Sequence, residues 1–236
     1  MREQDTRTAM LIGEGGLARL RAARVAVFGL GGVGSFAAEA LARAGVGNLL
    51  LVDDDVIAPS NLNRQLLALR STLGQSKALA AQARILDIDP EIRVDARALR
   101  YEAATADAFD FTGLDFVIDA IDSVTSKLLL VQRAKAAGAP ILCCMGTGNK
   151  LDPTAFRVSD MEETAGCPLA RVMRRELRRL GIRGVRAVWS PEPSKETLFQ
   201  PADRPPGRRA VPGTLSVVPA AAGLICAGEA IAQILK

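Results

Sequence analysis

Residues 24–53 read RVAVFGLGGVGSFAAEALARAGVGNLLLVD. RVAVFG (24–29) and NLLLVD (48–53) are apolar runs of strand length, and a helix from about Val33 to Ala44, stopped by Gly45, lies between them. Strand, glycine turn, helix and strand in that order form a βαβ unit. The turn, Gly29-Leu30-Gly31-Gly32-Val33-Gly34, has GxGxxG spacing directly after a strand and at the opening of a helix. Glycines there allow a tight turn and let a phosphate reach the backbone. The helix amino terminus adds free N–H groups and a positive dipole end. Asp53 ends the second strand roughly 20 residues on, where an acid that binds a ribose belongs. This much leaves a nicotinamide dinucleotide and ATP both open.

Outward from this unit the alternation continues. A helix is expected over 76–88, with Leu79, Ala83 and Leu86 on its apolar face and Pro90 beyond its end. Strands are expected over 91–98, over 114–119 and from Pro140, with a helix over 124–137 ended by Gly138. Past Gly148 the order loosens. Residues 167–180 form an amphipathic helix with Leu169, Val172, Met173, Leu177 and Leu180 on one side and Arg171, Arg174, Arg175, Arg178 and Arg179 on the other. VRAVWS (185–190) reads as a strand, 191–212 with its six prolines as a mobile loop, and the Ala/Gly-rich end from Pro219 as a helix packed on the domain. The expected fold is α/β: a Rossmann-like, doubly wound, mostly parallel sheet with C-terminal antiparallel additions and a packed C-terminal helix. It is read as one domain over 1–236, made of an N-terminal helical segment (1–23), a nucleotide-binding core (24–148) and substrate and dimer elements (149–236).

Composition narrows the chemistry. The 236 residues include no histidine, which removes Ser-His-Asp triads, Cys-His dyads and histidine metal sites. Aromatics are only 4% against 49% hydrophobic residues, so the core is aliphatic, as suits a sheet buried on both faces. Cys143, Cys144, Cys167 and Cys226 make no CxxC. Cys143 and Cys144 read as core residues; Cys167, at a helix start where a thiol is activated, is also read as structural. Net charge is +4. The N-terminus MREQDTRTAM lacks a signal peptide's apolar core. The C-terminal apolar run, broken by Gly223, Gly228 and Glu229, is read as too short to span a bilayer, so no membrane association and a cytoplasmic location are expected.

The segment beyond the second strand tips the balance toward phosphate chemistry. Asp53-Asp54-Asp55 leads into Asn61-Leu62-Asn63-Arg64-Gln65, a segment that hydride transfer does not need. Asn61 and Arg64 can reach phosphates from a loop beside the glycine turn, and Arg64 offers a planar, permanent charge. Lys77, at the start of the next helix and away from its apolar stripe, supplies a further point charge. Asp122 is read as ending a strand, on the edge where doubly wound sheets bind ligands, and can hold Mg2+ on a triphosphate.

These segments, together with GQSKA, VIDAIDS and the terminal LSVVPAAAGLICAGEAI, resemble the superfamily of ThiF, MoeB and ubiquitin-activating enzymes. Within it, RTAMLIGEGGLARLRAARVAV, GTGNKLDPT and VSDMEETAGCPLARVMRRELRR are most similar to the tRNA threonylcarbamoyladenosine dehydratase group. The resemblance implies a single ThiF-type adenylating domain with ATP on Gly29, Gly31, Gly32 and Gly34. It also implies Asp53 and Asp55 beside the nucleotide, Asn61, Arg64 and Lys77 on the phosphates, and Mg2+ on Asp122. Arg7, Arg64, Lys77 and Asp122 are the implied catalytic set. Arg7 is expected to enter the partner subunit's site in a homodimer.

The implied reaction is ATP-dependent dehydration, a cyclisation, of threonylcarbamoyladenosine in tRNA through an acyl-adenylate. The arginine face of 167–180, with Arg183 and Arg186, is the candidate tRNA contact, and a sulfur-transfer protein is a possible further partner. The alternative within the superfamily is adenylation of the C-terminus of a ubiquitin-like sulfur carrier. The absence of paired CxxC motifs counts against it. A nicotinamide oxidoreductase and a non-catalytic nucleotide-binding scaffold are the other classes.

Overall fold

The computed structural model describes residues 2–201 and 210–236. In chain order the elements are α1 (Thr6–Ala22), β1 (Arg24–Phe28), α2 (Gly34–Ala44), β2 (Asn48–Val52), α3 (Lys77–Ile88), β3 (Arg93–Arg97), β4 (Phe116–Asp119), α4 (Val124–Ala136), β5 (Ile141–Cys144), β6 (Arg157–Asp160), α5 (Pro168–Arg179), β7 (Arg186–Trp189) and α6 (Val217–Ile234). One seven-stranded sheet has the order β3-β2-β1-β4-β5-β7-β6. All pairs are parallel except β6 with β7, the antiparallel addition. The strand order reverses between β1 and β4, and a doubly wound sheet opens a ligand crevice at such a point, outside the carboxyl ends of the strands.

Each sheet face is covered, as the aliphatic composition requires. One core joins Val25, Val27, Leu49, Leu51 and Ile118 to Ala37 and Leu41 of α2, Ala78 and Ile85 of α3, and Ala222 and Cys226 of α6. The other joins Phe28, Val117, Cys143 and Ala187 to Leu130 of α4, Met173 of α5 and the rings of Tyr101, Phe109 and Phe111. Cys143, Cys144 and Cys167 are all buried and free, in line with the core reading.

The sequence reading misassigns the inner face of α3. Leu79 is 53% exposed and Leu86 37%, and Ala83 is exposed as well, while Ala78, Ala81 and Ile85 face the sheet. Small side chains bring the helix close to β2 and β3, and the bulkier leucines remain outside. The C-terminal helix starts at Val217, two residues before the expected Pro219. It runs unbroken through Gly223 and Gly228 for 18 residues with a mean hydropathy of 1.6, enough by length and composition to cross a membrane. Here it is a core helix: Val218, Ala222, Cys226, Ala227 and Ala230 are buried. A β-carbon on Gly223 would overlap the carbonyl oxygen of Val33, so glycine lets α6 touch α2.

α1 folds back on itself at Gly13 (φ 74°, ψ 167°). Its two ends meet where Asp5 binds Arg2 (2.9 Å) and Arg21, and Arg2 reaches Asp89 and Glu91 at 2.6 Å each. This latch lies at the amino-terminal edge of the sheet, where Asn48 N donates to Ala23 O. Of the loop expected over 191–212, positions 202–209 lie outside the described residues. Its two sides are joined where Gln200 binds Val211 through both backbone groups, and Lys195 N donates to Asn149 O at 2.8 Å.

The glycine turn is the tightest point of the fold. Gly29 has φ 87°, and a β-carbon there would lie 2.7 Å from the Ala120 carbonyl oxygen; one on Gly34 would overlap the Gly29 carbonyl oxygen. That oxygen is main-chain and cannot swing away, so Gly34→Ala is expected to destabilise the fold by about 3 kcal/mol, the upper end for overpacking. A fall in the urea midpoint at unchanged slope checks this.

Candidate functional site

The crevice at the switch point is built by the loops after β1, β2 and β4. Gly29 N donates to Val52 O and Ala120 N to Phe28 O, both at 2.8 Å, so the three strand ends are tied together. No side chain caps the amino terminus of α2, which leaves its dipole end open to an anion. Ser35 Oγ donates to Gly31 O at 2.6 Å and accepts from Leu66 N at 3.3 Å, fastening the 59–66 segment beside the turn.

Asp53 sits where the sequence places it. Its Oδ2 accepts from Leu30 N at 2.6 Å and its Oδ1 from Asp55 N at 2.9 Å. Burial pushes its carboxyl above the usual range, only partly offset by Lys77 and these two N–H groups. Asn61 and Arg64 are brought alongside. Asn61 first serves its own turn, accepting from Ala58 N at 3.0 Å. Arg64 donates to Ser60 O at 2.8 Å and Asn63 Oδ1 at 2.9 Å, and its main-chain oxygen lies 3.3 Å from where a β-carbon on Gly32 would stand. Burial lowers the pKa of Arg64, with no carboxylate opposing the shift. Among the described residues this half-buried guanidinium has no carboxylate partner, which marks a place for an anion.

Lys77 differs from the sequence reading. It is not a free surface charge: it is only 4% exposed, and its ammonium lies 2.6 Å from Asp55 Oδ2 and 3.8 Å from Asp53 Oδ1. Asp55 therefore holds Lys77 before it holds any ligand. Asp122 is exposed on the loop after β4, two residues beyond the Ala120 carbonyl that presses on Gly29. Arg7 is exposed on α1 and belongs to the other end of the sheet. Asp5 is anchored at the amino-terminal edge, and the five residues of β1 span about 16 Å between that edge and the glycine turn. Arg7 does not enter its own chain's site.

The structure adds Gln65 to the candidate set. It is 8% exposed and lies over the glycine turn, its Nε2 3.7 Å from the β-carbon position of Gly31, and its Oε1 is buried with no hydrogen-bond partner. Its place in the Asn61–Gln65 segment was the available signal. The arginine face of α5 is largely engaged internally. Arg174 binds Thr164, Arg178 pairs with Glu162, and Arg175 and Arg179 pair with Glu176 at 2.8 and 3.0 Å. Arg186 pairs with Glu229 at 2.6 Å.

A model of the ThiF family matches residues 5–236. The tRNA threonylcarbamoyladenosine dehydratase of Bacillus subtilis (strain 168) is 42% identical over 250 residues, spanning 100% of this chain and 96% of that protein. The crystal structure of the E. coli tRNA N6-threonylcarbamoyladenosine dehydratase TcdA in complex with ATP superposes with a TM-score of 0.88 at 34% identity, covering 99% of this chain and 94% of that one. The complex of that enzyme with AMP matches equally well.

Asp55 holds the ammonium that the sequence reading assigns to phosphate, so Asp55→Asn is expected to tighten metal-free ATP binding about two- to fivefold, the range of a pair with one exposed member. Lys77→Met is expected to weaken it about tenfold or more. Isothermal titration calorimetry in EDTA checks both signs.

Proposed function

The chain belongs to the ThiF family, and from that premise we propose that it is an ATP-dependent tRNA threonylcarbamoyladenosine dehydratase. The observation that carries the reading is the desolvated, acid-free guanidinium of Arg64 beside an uncapped helix terminus and a glycine turn. That arrangement suits a triphosphate better than a nicotinamide. The orphan Oε1 of Gln65 gives a nucleotide or its acyl partner a buried acceptor to satisfy.

In the proposed reaction the threonyl carboxylate of the modified adenosine attacks the α-phosphate of ATP. The bond to the β-phosphate breaks, pyrophosphate leaves and an acyl-adenylate forms. The carboxylate oxygen, a poor leaving group before activation, now departs as part of AMP when the neighbouring carbamoyl group attacks the acyl carbon and loses a proton. The tRNA is thereby one water lighter, and AMP and pyrophosphate are the by-products. Without histidine, the protein contributes position and charge. The main-chain N–H groups of the turn and Arg64 hold the phosphates, and Asp53 holds the ribose. Lys77 exchanges Asp55 for phosphate. Asp122, exposed on the loop after β4, offers Mg2+ a hard carboxylate oxygen. When bound, Mg2+ neutralises charge on the departing phosphates. A cytoplasmic location belongs to the same proposal.

We place Arg7 in the partner subunit's site in a homodimer, because the latch at Arg2, Asp5 and Arg21 holds it away from its own.

Incubation with ATP, Mg2+ and threonylcarbamoylated tRNA, then nucleoside mass spectrometry, is expected to give a nucleoside lighter by one water. Arg64→Ala is expected to slow ATP–pyrophosphate exchange roughly 10²-fold, as for a lost oxyanion donor; full exchange in a folded variant overturns the assignment. Mixing Arg7→Ala with Arg64→Ala protein is expected to restore about a quarter of wild-type turnover, because half of the re-equilibrated dimers carry one intact site. No recovery in mixtures shown to exchange subunits overturns the shared site.

A further inference from the structure

Lys127, in the first turns of α4, has no exposed surface, and neither does its ion-pair partner Asp119, the last residue of β4. Its ammonium lies among three oxygens: Asp119 Oδ1 at 3.0 Å, the Asp119 main-chain oxygen at 3.4 Å and the Cys144 main-chain oxygen at 2.8 Å. Asp119 and Cys144 are the final residues of adjacent strands. Burial works against the charged form of Lys127, but Asp119 and the nearby thiols more than offset it, and the ammonium is held above its ordinary value.

A buried ion pair is a weak source of stability, since a well-packed apolar pair of similar volume is often as stable or more so. Geometry gives this one a different role. Asp119 Oδ1 also accepts from Ile121 N at 3.1 Å, which turns the chain immediately after β4. Ala120, inside that turn, sets its carbonyl against Gly29, and Asp122 comes two residues later. The second carboxylate oxygen, Asp119 Oδ2, is buried without a partner, so the pair is not arranged to satisfy its own polar atoms fully. We infer that Lys127 and Asp119 are a positioning pair that fixes the β4–α4 turn and so aims Asp122 at the phosphates. The inference rests on the reading of Asp122 as the Mg2+ ligand.

The test compares ATP affinity with Mg2+ and in EDTA by calorimetry, beside thermal midpoints, for the wild type, the double variant Lys127→Met/Asp119→Leu, the milder Lys127→Gln, and Asp122→Asn. Metal-free ATP binding by the double variant is expected within about threefold of wild type. Its gain in affinity on adding Mg2+ is expected to shrink about tenfold or more, as when a group supporting a metal ligand is lost. Lys127→Gln is expected to show a smaller loss in the same direction, and it decides the matter should the double variant fail to fold. Asp122→Asn is the reference and is expected to lose the Mg2+ gain. If it loses the gain while the Lys127 variants keep theirs, the positioning role is wrong. Equal loss with and without metal in the Lys127 variants also overturns it, because the pair would then serve only the fold. Should Asp122→Asn keep its full Mg2+ gain, the metal assignment fails, and the inference with it.

Discussion

Backbone lies against backbone at the switch point, and the site depends on that approach. Gly29 meets the Ala120 carbonyl and Gly34 meets the Gly29 carbonyl at distances that admit no β-carbon. The turn can therefore descend between the ends of β1 and β4 and start α2 without a capping side chain. Everything else in the site is hung from this turn. Ser35 ties it to the 59–66 segment, Asp53 caps Leu30 N, and the β4–α4 loop rests on Gly29.

Around that turn the charges fall into two kinds. Lys77 and Lys127 are buried and held by carboxylates, Asp55 with Asp53 in one case and Asp119 in the other. Arg64 is half-buried and, among the described residues, held by neutral oxygens. A cation already matched by an acid must give that acid up to bind phosphate, whereas an unmatched one gains its first counter-charge from the ligand. In the proposed ATP site Arg64 would therefore contribute most per contact, with Asp55 moderating Lys77. Three arginines of α5 belong with the matched kind, for Glu162 pairs with Arg178 and Glu176 with Arg175 and Arg179, whereas Arg174 is held by the neutral Thr164. A tRNA contact there would draw on the exposed Arg171 and Arg183 rather than on the whole face.

The proposal of a homodimer comes from how the N-terminus is fastened. The bend at Gly13 returns α1 to its starting edge, and the acids that hold Arg2 and Arg21 keep it there. A single chain is left with a nucleotide crevice at one edge of the sheet and Arg7 near the other. Two-fold symmetry would bring those edges together without any change inside either protomer.

The sequence by itself determined the βαβ unit, the nucleotide turn, the acid at position 53, the segment from Asn61 to Gln65 and nearly every strand and helix. These signals are local: glycine spacing, apolar runs and period-3.6 patterns lie within a few residues of one another. It did not determine which side of α3 faces inward. Local periodicity favoured the bulky Leu79 and Leu86, but the packing distance to β2 and β3 selected Ala78, Ala81 and Ile85. Nor did it show that Lys77 is spoken for by Asp55, that Lys127 is buried against Asp119, or that Arg7 lies at the far edge. Charged residues look alike in a sequence whether they meet water or another charge. Contacts between segments distant along the chain, such as the pairing of β4 with β1 and β5 around Lys127, decide which of them are removed from solvent and what they then hold.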